Sequence, residues 1–187
     1  MNNIKPIIYL IPVIALILTV ILYFSLLKRA TDKKAFNRFV FAITVLAFML
    51  NFIWELIQIP FYKGSSYSIE HIAFCAFASL ADAIIVLLLY FGFASIFSNP
   101  FWIKNLKWHR IVILILVGGA GATAIKLWHL SSANWAYVNS MTIIPVINVG
   151  ISAVLQFMIL PVLVYFLSLS YLKSMKKIID DGNYGIK

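Results

Sequence analysis

Asn51-Phe-Ile-Trp-Glu-Leu-Ile-Gln-Ile-Pro-Phe-Tyr62 closes an apolar run that begins near Phe36, and it sets a carboxylate, two amides and an indole at the end of that run. The run is long enough to cross a bilayer, where an ionisable side chain is costly unless something nearby compensates it. Asn51, Glu55 and Gln58 recur at i, i+4 and i+7, so a helix presents them on one face with Trp54 beside them. Pro60 is placed to stop or kink that helix. The rest of the chain supplies four more apolar runs, and the question is which of their polar residues meet this face.

Composition supports the membrane reading. Of 187 residues 63% are hydrophobic and 11% charged, whereas a soluble domain is about 25% charged. The formal net charge of +9 would suggest nucleic acid in a soluble protein. Here the basic residues sit in short segments between apolar runs, without a zinc-finger, helix-turn-helix or P-loop pattern, so they orient a membrane protein and no nucleic-acid partner is expected. Cys75 is the only cysteine, which excludes an intrachain disulfide and a cysteine-rich metal site.

These features predict an all-α, polytopic integral membrane protein: one domain over residues 1–187, a bundle of five transmembrane helices at about 6–27, 36–59, 69–97, 111–130 and 141–169. The first run lacks a small-x-small cleavage site before Lys28 and is expected to remain as a helix of the mature protein. The segment after the first span carries five basic residues, that after the third three and the tail four, against Lys5 and Lys63 on the other side. The bias places the N-terminus outside and the C-terminus in the cytoplasm, in what is expected to be a bacterial inner (plasma) membrane. Pro100, Trp102 and Trp108, with Lys104, Lys107 and Arg110, suit an aromatic belt at the basic face. Gly118-Gly-Ala-Gly-Ala122 lacks the context of a nucleotide-binding loop and suits close helix contact. Pro145, Gly150 and Pro161 interrupt the fifth span.

With this topology the polar groups converge in the outer half of the membrane. His71, Cys75, Ser79 and Asp82 form one stripe on span three, descending roughly 16 Å from rim to Asp82. Lys126 lies about one turn from the outer end of span four, and Asn148, Ser152 and Gln156 form an i, i+4, i+8 row on span five. Asparagine, serine and glutamine in membrane helices often only join helices, each bond being worth of order 1 kcal/mol. The two carboxylates and Lys126 are harder to explain that way. Glu55, Asp82, Lys126 and His71 are therefore the candidate catalytic residues, with Glu55 first for acid/base work. Asn51, Trp54, Gln58, Tyr62, Trp128, Trp135, Tyr137, Asn148 and Gln156 are the candidate substrate-binding residues. Glu70 and His71 lack an HExxH or Glu-x-x-His arrangement, so no metal or other cofactor is expected.

The five-span, tryptophan-rich plan resembles that of the translocator or tryptophan-rich sensory proteins, and the buried glutamate, aspartate and tryptophans are similar in layout to the emopamil-binding sterol-isomerase group. Both likenesses concern layout, and no motif transfers residue by residue. The expected function is a membrane enzyme of lipid metabolism, such as an isomerase, that uses acid/base chemistry for isomerisation, cyclisation or hydration of a lipid-like or isoprenoid substrate. A binding or transport protein and a structural subunit of a membrane complex are the alternatives. The expected partner is a membrane lipid or apolar small molecule, with self-association left open.

Overall fold

The computed structural model describes residues 10–62, 64–131, 141–145 and 148–183. Among these, five helices are long and apolar enough to cross a membrane: α1 (Leu10–Arg29), α2 (Lys33–Gln58), α3 (Ile69–Ile96), α4 (Trp108–Ser131) and α5 (Ile151–Asn183). Their boundaries follow from local chemistry. The Asp32 side chain accepts from the Ala35 N–H at 2.9 Å and the Ser68 hydroxyl from the His71 N–H at 3.3 Å, so each caps the first turn of the helix that follows. α2 stops at Gln58 because Pro60 has no N–H to continue it, and Ile59–Phe61 tighten into a single 3-10 turn.

Along α2, Phe36, Phe39, Ile43, Ala47, Asn51 and Gln58 are buried, at the three- and four-residue spacing of one helical face. Phe41, Val45, Met49, Ile53 and Ile57 are exposed on the other side. An outward stripe of large apolar side chains suits hydrocarbon as its solvent. α2 packs on α3 and α5, α4 packs on α5, and α1 lies on α3 with a slight contact to α2. Close approach of α4 to α5 requires glycine: a Cβ at Gly118 would lie 2.1 Å from the Phe157 carbonyl oxygen, and one at Gly119 2.9 Å from Met158 Cγ. The small-residue run of α4 is thus the seam on which α5 is seated.

One end of the bundle is filled with rings. Tyr23, near the end of α1, meets Phe36 of α2 and Phe91 of α3, and Tyr90 contacts Phe39, Trp102 and Tyr165. Trp102, expected in an interfacial belt, is instead 0% exposed. The segment between α3 and α4 turns back at Ser98, whose φ of 49° is left-handed, and inserts the indole under the helix ends. There its Nε1–H donates to the Tyr90 carbonyl at 3.2 Å, the Tyr90 hydroxyl donates to the Pro100 carbonyl, and the Tyr165 hydroxyl donates to the Val86 carbonyl at 2.7 Å. Burying an indole and two phenols is favourable here because every polar tip finds a carbonyl. Trp108, at the start of α4, is 76% exposed.

The fifth helix departs from the expected 141–169. Ile143–Ile144 and Val149–Gly150 form a two-residue antiparallel pair, Ile143 opposite Gly150 and Ile144 opposite Val149. Helix begins only at Ile151 and extends through Pro161 to Asn183. Pro145 cannot donate to a helical ladder, and Asn148 takes a φ of 53°, a left-handed conformation that asparagine tolerates better than most residues. The Asn148 N–H donates to the Ile144 carbonyl and the Ile151 N–H to the Thr142 carbonyl, both at 3.0 Å, which closes the turn. A short apolar stretch carries no periodic signal that separates such a turn from a helix.

A candidate functional site between three helices

The end of the bundle opposite the ring-filled core is polar. Gln156, on the first turns of α5, donates through both amide hydrogens: to Asn51 Oδ1 of α2 at 2.8 Å and to Asp82 Oδ2 of α3 at 3.0 Å. Its Oε1 faces Gln58 Nε2 at 3.4 Å, and Gln58 Oε1 in turn accepts from the Tyr62 hydroxyl at 3.3 Å. Asn51 turns its own amide hydrogens back to the Ala47 carbonyl at 2.7 Å. Two acceptors on different helices leave the Gln156 amide only one orientation, since a flipped amide would set oxygen against oxygen. Asn51, Gln58 and Gln156 are at most 1% exposed. The structure therefore brings together, across α2, α3 and α5, four residues that the sequence marks separately, with Tyr62 at the end of the chain of bonds.

Glu55 is not a member of this network. It lies one turn beyond Asn51 on the same face of α2, half-buried, and makes no hydrogen bond or ion pair among the described residues. It is within electrostatic reach of Cys75, which is buried. Next to it, Trp54 Nε1–H is buried and has no hydrogen-bond partner among the described residues; left unpaired, such a group costs about 1–3 kcal/mol. Cys75 and Ser79 line the inner face of α3, and the Ser79 hydroxyl donates to the Cys75 carbonyl at 2.7 Å. Ser79 thus satisfies itself within its own helix.

Other candidates are set apart. His71 sits half-buried in the first turn of α3, its ring 6.2 Å from that of Phe74, and is outside the network. Asn148 belongs to the turn before α5 and not to a helical row with Ser152 and Gln156, because the helix starts three residues later. The Lys126 and Trp128 side chains, and Trp135 and Tyr137 entirely, lie outside the described residues. Among the described residues no three of His, Cys, Asp and Glu converge to hold a metal.

Sequence reasoning missed the burial of Tyr90, Trp102 and Tyr165. A signal was available for the two tyrosines: a phenol deep in an apolar span needs a partner, so each announces a carbonyl that some other element leaves open. No family model, curated protein or solved structure matches the chain.

Proposed function

We propose that this is an integral membrane enzyme that performs acid/base chemistry on a lipid-like or isoprenoid substrate, with its N-terminus outside, its C-terminus in the cytoplasm and its site in the outer half of the membrane. The observation that supports the reading is a contrast within one face of α2: beside a closed amide network stand the Glu55 carboxylate and the Trp54 indole N–H, neither of which has a hydrogen-bond partner among the described residues. A structural polar cluster pairs all its members; a binding site keeps donors and acceptors for a ligand. In this reading Trp54 donates to a polar group of the substrate. Glu55 delivers a proton to an alkene or comparable acceptor, and Asp82, oriented by Gln156, takes a proton from a neighbouring carbon, so that isomerisation needs no external reagent. Hydration or ring closure uses the same two groups with water or an internal nucleophile. The orientation rests on the imbalance of basic residues between the two ends.

One observation favours a structural role instead: the near-complete burial of Asn51, Gln58 and Gln156 is what an interhelical clamp requires. Lipid extraction of the purified protein followed by mass spectrometry separates the readings. A co-purifying apolar lipid class is expected, lost in Trp54→Phe and retained in Glu55→Gln. Turnover of that lipid should fall at least 100-fold in Glu55→Gln and Asp82→Asn with unchanged melting in detergent, the lower range for loss of an acid/base group. Retained turnover in both variants excludes the acid/base role and leaves the clamp.

A further inference from the structure

The segment joining α3 to α4 forms a second site, at the ring-filled end and away from the polar network. A cavity of about 510 Å³ lies there, lined by Asn99, Lys104, Asn105, Lys107 and Arg110, with the Phe97 ring and Leu106 completing the wall. Its size falls within the roughly 300–1,000 Å³ of small-ligand sites. Three cations face it and no acidic side chain is among its lining residues.

Two of the three cations are seated on aromatic rings. The Arg110 guanidinium stacks 4.2 Å from the Phe97 ring centroid and Nη1 donates to the Asn105 carbonyl at 3.4 Å, while Nε is buried without a partner among the described residues. The Lys104 ammonium lies 4.4 Å from the Phe101 ring centroid. Asn99 Oδ1 accepts from the Phe101 N–H at 2.8 Å, which leaves the Asn99 amide hydrogens as donors. Trp102 and Ile103, both buried, anchor the back of the segment. The three cations and the Asn99 amide hydrogens are donors, and the net charge of the lining calls for an anion with several acceptor oxygens. The cavity also lies on the segment that joins two membrane-length helices, and Ile96 and Trp108, the residues at the two helix ends, are 74% and 76% exposed. Those side chains offer acyl chains a surface that a free ion would not use.

We propose that this cavity binds the phosphate of an anionic membrane lipid headgroup, with Lys104, Lys107, Arg110 and the Asn99 amide as its donors. The proposal is independent of the acid/base reading and of which side of the membrane this end faces. The test is titration of the purified full chain in mild detergent with phosphatidylglycerol, phosphatidylcholine or inorganic phosphate, read by native mass spectrometry and melting. Phosphatidylglycerol should bind at least tenfold more tightly than phosphatidylcholine, weaken as salt rises, and persist when inorganic phosphate is in equal amount. Lys104→Gln/Lys107→Gln should weaken it about tenfold or more, while Lys28→Gln/Lys33→Gln should leave it unchanged. If the first pair does not fold, Asn99→Asp, which keeps the acceptor for Phe101, serves with the same expectation. Equal binding of the two lipids, equal losses in both lysine pairs, or full displacement by equal inorganic phosphate would each overturn the assignment.

Discussion

The two ends of the bundle solve the same problem, polar groups buried among apolar helices, in different ways. At the ring-filled end the Tyr90 and Tyr165 hydroxyls and the Trp102 indole N–H each donate to a backbone carbonyl. These acceptors are fixed by the main chain, and the rings around them supply the packing. At the polar end side chains bond to one another, with Gln156 spanning α2 and α3, and Trp54 Nε1 beside them has no partner among the described residues. The first arrangement maximises rigidity. The second keeps hydrogen-bonding capacity that a ligand can use.

The strongest test of this contrast is Trp102→Ala. It removes the indole on which Tyr90, Phe93, Phe97 and Tyr165 all pack, and should cost about 3–5 kcal/mol as the cavity relaxes only in part. Melting of the purified protein in detergent reads the loss; a cost below that of any polar-end variant would reverse the ranking of the two regions.

Gly118→Ala comes next. Its new methyl group has no room against the Phe157 carbonyl, one residue from Gln156, so α4 must shift from α5 at a cost of about 1–3 kcal/mol. The same measurement applies, and Gly121→Ala, where a Cβ meets nothing within 4 Å, is the control expected to melt like the wild type.

The smallest effect should come from Gln156→Leu, about 1–2 kcal/mol, because hydrogen bonds between membrane helices are individually weak. Asn51 and Asp82 nevertheless lose a common donor, so adding Asn51→Leu to Gln156→Leu should cost less than the sum of the two single changes. Strict additivity would show that the amides do not act as one unit, and the clamp would lose its basis.

Much of this was legible in the chain. The five apolar runs, the stop at Pro60, the inward face of Asn51, Glu55 and Gln58, and the stripe of Cys75, Ser79 and Asp82 all depend on length and on a 3.6-residue period, which are properties of a chain read in one dimension. Caps at Asp32 and Ser68 belong to the same class, since their partners lie three residues away. Tertiary structure alone decided which polar residues meet. Gln156 finds Asp82 and Asn51 across 74 and 105 residues because Gly118 lets α5 sit close against α4 while its other face meets α2 and α3. It also decided that Trp102 goes inward, where the Tyr90 carbonyl waits. The physical reason is common to both: a hydrogen-bond partner or a space for a ring is created by packing separate elements together, and no local pattern encodes it.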